Sequence, residues 1–126
     1  MAEIALKNVT KRFGTTEAIK DLSLTVADGE FVVILGPTGA GKTTTLRLVA
    51  GLERPEQGSV EIAGLDVTQA PPAERDVSFV FQQYSLYPHY SVYQNLAFPL
   101  RAPGRKLPAA ELDARVREIA SLLRID

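Results

Sequence analysis

The chain has 126 residues, 45% hydrophobic and 23% charged, the proportions of a folded globular protein and not of a disordered one. A formal net charge of −1 offers no electrostatic basis for holding nucleic acid or anionic lipid, and zero cysteines exclude disulfides and thiolate metal sites, in keeping with a reducing cytosol. No apolar run approaches the ~20 residues that span a bilayer, and residues 1–10 alternate like a strand instead of forming the apolar stretch of a signal peptide.

In chain order, Ile4, Leu6 and Asn8 alternate with polar neighbours, as do Leu22, Leu24 and Val26. Both segments read as half-buried antiparallel strands, joined through a turn-rich stretch from Lys11 to Thr15. Asp28-Gly29-Glu30 is a turn that delivers the chain to an apolar run, Phe31-Val32-Val33-Ile34-Leu35, expected as a buried core strand. The next eight residues are Gly36-Pro37-Thr38-Gly39-Ala40-Gly41-Lys42-Thr43, an uninterrupted G-x-x-x-x-G-K-[ST] pattern. A helix should follow from near Thr43, with Leu46, Val49 and Ala50 on its inner face and Gly51 as a left-handed cap.

Beyond the helix, Ser59-Val60-Glu61-Ile62 suggests an edge-type strand, punctuated by Pro55, Gly58 and Gly64. Pro71-Pro72 interrupts the chain before Val77-Ser78-Phe79-Val80-Phe81, read as a second apolar core strand. From Gln82 to Pro88 the sequence is aromatic and irregular, and Val92 to Leu100 is helix-like. After a linker from Arg101 to Pro108, Leu112, Val116, Ile119 and Leu123 recur at helical spacing, so the last segment is an amphipathic helix with Pro108 suited to its first turn. The fold class is α/β: a P-loop NTPase core, an N-terminal antiparallel β layer and the start of a helical subdomain. The expected division is residues 1–88 for the β layer and P-loop core, and residues 89–126 for the helical part.

The loop residues suit a polyphosphate. Gly36, Gly39 and Gly41 leave the backbone bare, so that main-chain N–H groups converge on anionic oxygens, and they permit positive φ where the loop wraps. The helix N-terminus directs further N–H groups and its positive dipole end at the same anion. Lys42 supplies an ammonium to the β and γ phosphates, the Thr43 hydroxyl suits a Mg²⁺ ligand, and the Thr44 hydroxyl is placed for the α phosphate. The alternative, a glycine-rich turn with a surface lysine, is disfavoured by the Gly-Lys-Thr order.

With the loop, the Val80-Phe81-Gln82-Gln83 stretch and the run from Tyr84 to Pro88 in place, the chain resembles the N-terminal half of the ATP-binding subunit of ABC transporters. The segment from Pro71 to Val77, followed by Phe79 to His89, is similar to the subgroup that serves carbohydrate and glycerol-phosphate importers. The resemblance implies ATP and Mg²⁺ as ligands, with Gly36, Pro37, Thr38, Gly39, Ala40, Gly41, Lys42, Thr43 and Thr44 around the phosphates. It implies Phe13 as the aromatic stacked on adenine, although Phe13 also reads as a strand-edge core residue. Gln82 matches the family's glutamine that touches Mg²⁺ or the attacking water, with Gln83 the less suitable register. Lys42 and Gln82 would then be the catalytic residues, and Thr43 and Gln82 the metal-facing ones.

Tyr84, Leu86, Tyr87, Pro88 and Tyr90 are either a packed loop or, as the family implies, a groove for a short helix of a membrane subunit. His89 is expected to pack within this loop. The resemblance further implies a homodimer or heterodimer of ATP-binding subunits, contact with permease subunits through Gln82–His89, no nucleic-acid partner, and a cytoplasmic position on the inner face of the membrane. An Asp-Glu ending an apolar strand, a Leu-Ser-Gly-Gly-Gln signature and a switch histidine are absent from the 126 residues. The simplest reading is a truncated sequence, in which Val33, Ile34, Val80 and Phe81 lack the neighbours that would cover them. Such a piece is expected to be poorly stable and to hydrolyse ATP little above background. A non-transport ABC ATPase and a non-catalytic ATP sensor are the competing readings; a GTPase is disfavoured because no Asn-Lys-x-Asp motif occurs.

Overall fold

The computed structural model describes residues 2–126. They form two compact units, one reaching Val80 and the other running from Phe81 to Asp126. Residues 81–88 therefore group with the helical unit, whereas the sequence division falls after residue 88.

The first unit is built on an antiparallel sheet of four strands in the order β2-β1-β3-β4. Strand β1 spans Ile4–Phe13, β2 Thr16–Val26, β3 Gln57–Ile62 and β4 Leu65–Asp66. The two expected N-terminal strands are present, and β1 runs on through Lys11 and Phe13, which leaves only Gly14 and Thr15 for the turn. The alternation breaks at Asn8, whose φ is 50°. There the ladder to β2 shifts register, Asn8 N–H donates to Ser23 Oγ at 2.9 Å and Asn8 Nδ2 donates to Asp21 Oδ1 at 2.9 Å. After this bulge it is Val9, Thr10 and Lys11 that are buried, so Asn8 does not continue the inner row. Strand β3 is not an edge: it pairs with β1 on one side and with β4 on the other.

Helix α1, Lys42–Ala50, packs near this sheet and ends at Gly51, whose φ of 79° fulfils the expected left-handed cap. Its inner face is Thr45, Leu48 and Ala50, not the anticipated Leu46, which is 51% exposed. Leu48 joins Leu6, Val9, Ile19 and Val60 in the core of this unit. Burial of each of the larger aliphatic side chains contributes about 1.5–3 kcal/mol. The buried Arg75 guanidinium ties the far end of α1 down: Nη1 donates to the carbonyls of Leu48 at 2.8 Å and Val49 at 3.2 Å, and Nε to that of Ala70 at 3.0 Å. Burial, with the nearby Arg54 charge, pushes the Arg75 pKa down from its ordinary value.

The two apolar runs expected as core strands, 31–35 and 77–81, do not form strands. The four-stranded sheet described among residues 2–126 does not include them. Several of their side chains are exposed, Phe31 at 90% and Val80 at 95%. A hollow of about 650 Å³ lies among the sheet, residues 30–34 and α1, lined mostly by apolar side chains such as Leu6, Leu24, Val33 and Val49.

In the second unit, α2 (Val92–Ala97) continues into a 3₁₀ turn, Phe98–Arg101, and α3 spans Ala109–Leu123 with Pro108 at its N-cap. Ser91 and Gln94 form a reciprocal capping box that starts α2. Ala97, Leu112 and Val116 make the small core, and Tyr93 Oη donates to Asp113 Oδ1 at 3.1 Å between the helices. Ile119 and Leu123, expected on the same inner face, are exposed instead, because nothing packs over the C-terminal half of α3 within this unit. No helix among the described residues is long and apolar enough to cross a membrane.

Glu56 gives the first unit a pH dependence. Its carboxylate accepts the Arg12 backbone N–H at 2.8 Å and the Lys11 ammonium at 3.0 Å, and these, in that order, hold its pKa below the ordinary glutamate value. A depressed folded-state pKa means stabilisation present above the unfolded pKa and lost as pH falls through the folded one. Thermal denaturation should show Glu56→Gln melting below the parent at pH 7, with the gap closing in acid. A gap that is constant with pH would contradict the assignment.

Candidate functional site

Between Leu35 and α1 the chain closes a tight loop, in which Ala40 N–H donates to the Pro37 carbonyl at 3.1 Å. Gly39 and Gly41 have φ of 82° and 88°, conformations that L side chains rarely adopt, whereas Gly36 is not in that region. Gly41 has a second requirement. A Cβ there would lie 2.7 Å from the Ala18 carbonyl oxygen of β2 and 3.2 Å from Ile19 Cγ1. Bare backbone at this position lets the start of α1 rest directly against the sheet.

Gly41 is the N-cap of α1, and no side chain caps the helix; nor is there an acidic residue in its first turn. The leading N–H groups of α1 lie ahead of the first intrahelical acceptors, so they and the positive end of the helix dipole are available to an anion. The Thr45 N–H and hydroxyl both donate to the Gly41 carbonyl, each at 2.9 Å, which locks the first turn. Lys42 Nζ donates to the Pro37 carbonyl at 2.6 Å and, among the described residues, forms no ion pair. Its ammonium thus bends over the loop. Thr43 is exposed and Thr44 half-buried at the head of the helix. Gly36, Pro37, Thr38, Gly39, Ala40 and Gly41 thus form the loop, and Lys42, Thr43 and Thr44 open α1, which begins one residue earlier than expected, at Lys42.

Phe13, at the end of β1, is 46% exposed and not part of the core. Lys11 Nζ sits over its ring, 5.1 Å from the centroid. Gln82 belongs to the second unit and lies in an irregular stretch. Further along, Asn95 organises the aromatic loop: its Oδ1 accepts the Tyr87 N–H at 2.9 Å and its Nδ2 donates to the carbonyls of Tyr90 at 3.2 Å and Ser91 at 3.0 Å. Tyr87, Tyr90 and Phe98 cluster through their rings, and His89 packs edge-on against Tyr90 at 4.8 Å, as expected of a packing residue. Tyr84 and Leu86 stay outside this cluster, 99% and 70% exposed.

Sequence reasoning passed over three contributors: Lys11 beneath Phe13, the Glu53–Glu56 pair that holds it, and Arg75 at the far end of α1. No local signal marked the first, because Lys11 falls in the stretch read as a turn. The partners are separated from it by some forty residues of sequence, beyond the reach of any local pattern.

A glycine-rich loop running into the head of an uncapped helix is the local arrangement of the P-loop class. The chain belongs to the ABC transporter family, whose pattern matches residues 19–126. It is 50% identical, over 98% of its own length and 34% of the relative's, to the trehalose/maltose import ATP-binding protein of Thermococcus litoralis. It is likewise 50% identical to an sn-glycerol-3-phosphate import ATP-binding protein of Rhodopseudomonas palustris, over 99% of this chain and 34% of that protein. The chain thus spans about a third of the length of the curated relatives it matches. Among solved structures, a dimeric ATP-binding cassette in a post-hydrolysis state with ADP and Pi superposes with a TM-score of 0.83 at 32% identity, covering 98% of this chain and 58% of that one.

Gly41 tests the loop geometry. Gly41→Ala should destabilise the first unit by about 1–3 kcal/mol through strain at positive φ and displace the head of α1 from β2. A melting temperature equal to the parent's would contradict the close approach.

Proposed function

We propose that the chain binds Mg·ATP through residues 36–44 and Phe13, as part of the ATP-hydrolysing subunit of an ABC importer for sugars or related solutes. The observation that carries this reading is the uncapped N-terminus of α1 with a lysine bent over the loop. Main-chain N–H groups of residues 39–43 would donate to the β- and γ-phosphate oxygens, and Lys42 would exchange its neutral Pro37 acceptor for an anionic one. The exposed Thr43 hydroxyl at the head of α1 is a hard oxygen donor that fits a Mg²⁺ shared with the phosphates. When bound, the ion would neutralise charge on the β and γ oxygens.

Gln82 is proposed to orient the attacking water through its side-chain amide. The residues here supply a cradle but no acid at the end of an apolar strand, so turnover by these 126 residues alone should stay near background. Two ATP-binding subunits would close on nucleotide, and the outward-facing Tyr84 and Leu86 support a docking surface for a permease subunit at Gln82–His89. That assembly would hold the protein at the cytoplasmic face of a membrane.

Two measurements test this reading. Lys42→Ala should weaken ATP binding about tenfold or more, the loss of a charge-assisted contact; titration calorimetry giving the parent's affinity would refute the phosphate role. In the full-length protein, Gln82→Ala should lower kcat far more than it weakens ATP binding. An unchanged kcat would remove Gln82 from the mechanism.

A further inference from the structure

Lys11 is nearly buried, with 8% of its surface exposed, although a lysine on a strand ordinarily extends its ammonium into water. Here the ammonium is turned inward. Nζ donates to Glu56 Oε1 at 3.0 Å, lies 3.7 Å from Glu53 Oε2 and stands over the Phe13 ring. Neither carboxylate is free to drift. Glu56 also accepts the Arg12 N–H through Oε2, and its own N–H donates to the Thr10 carbonyl at 2.9 Å. Glu53 is paired with Arg47, in the last turn of α1, at 3.4 Å. The cation is therefore fixed by the Phe13 ring of β1 and by two carboxylates of the 53–56 segment, one of which Arg47 ties to α1.

We infer that Lys11 is the positioning residue of the base platform: its clamped ammonium covers one face of Phe13, holds the ring's orientation and leaves the opposite face for adenine. This rests on the proposal that Phe13 stacks on the base. A cation over one face draws on the ring's negative quadrupole and makes that face unavailable for stacking. The ring then meets the base already oriented, so less rotational freedom is lost on binding. The Arg47–Glu53 link further ties the platform to the helix that carries the phosphate loop, so that base and phosphate contacts are held in one frame.

The discriminating experiment compares Kd for Mg·ATP with Kd for Mg·tripolyphosphate, which has the phosphates but no base, in the full chain and its variants. The parent should bind ATP more tightly than tripolyphosphate, and Phe13→Ala should lose about tenfold in ATP affinity only. Lys11→Met should lose about threefold in ATP affinity, again with tripolyphosphate binding unchanged. Lys11→Arg, which keeps a cation on the ring, should recover most of that loss. Equal ATP affinity in the parent and Lys11→Met, with Phe13→Ala impaired, would overturn the inference about Lys11 while leaving the stacking role intact. If Phe13→Ala itself binds ATP as the parent does, the stacking role fails and the inference falls with it. Parallel losses for ATP and tripolyphosphate in Lys11→Met would mark a general structural role and would also overturn the inference. Should Lys11→Met not fold, the Glu53→Gln/Glu56→Gln double variant, which releases the ammonium, answers the same question. Loss of the ATP-over-tripolyphosphate preference supports the positioning role, and retention overturns it.

Discussion

The site depends on one short helix being held at both ends. At its head, Gly41 lets the backbone lie against the Ala18 carbonyl of β2, and the Thr45 hydroxyl closes the first turn on the Gly41 carbonyl. At its foot, Gly51 turns the chain away in a left-handed conformation, and the buried Arg75 guanidinium donates to the Leu48 and Val49 carbonyls of the last turn. A cation at a helix C-terminus complements the dipole, and the opposite end is left with exposed N–H groups and positive potential. An anion-binding surface made of backbone has no side chains that can rearrange to improve it. Its quality is set by how firmly the helix is seated, which is why buried groups far from the loop belong to the account of the site.

The same unit carries an unfilled side. The antiparallel sheet buries Leu6, Val9, Val60 and Leu48 on one front, yet Phe31, Val33, Leu35 and Val80 remain exposed on segments that the sheet does not include. In the sequence, residues 31–35 lead into the loop and residues 77–81 lead to Gln82. Apolar surface of this kind is strongly favourable to cover, so the region is where further packing would do most for stability. The chain's span of about a third of its curated relatives stands alongside that observation.

How much of this could be read from the residues alone varies by feature and for physical reasons. The loop, the helix after it and its glycine cap were legible because they are local: each depends on residues within one or two turns. The strands β1, β2 and β3 were legible from alternation, but the Asn8 bulge was not, since it depends on hydrogen bonds to Ser23 and Asp21 across the ladder. Residues 31–35 and 77–81 have the composition of buried strands, but strand formation depends on tertiary context, which composition does not encode. Leu46 and Leu48 are both apolar and two residues apart, so periodicity left the inner face of α1 ambiguous by about half a turn. In the site, Lys42 and the glycines announce themselves by spacing. Lys11, Glu53, Glu56 and Arg75 act through tertiary contacts that no short motif encodes.

The central claim is that a triphosphate rests on the main-chain amides at the head of α1. Diffraction from crystals of the chain soaked in Mg·ATP tests it most directly. The account predicts difference density for the β and γ phosphates within hydrogen-bonding distance of the backbone nitrogens of residues 39–43, with the Lys42 ammonium moved onto it. Ordered triphosphate density at any other place, with those amides untouched, would contradict it.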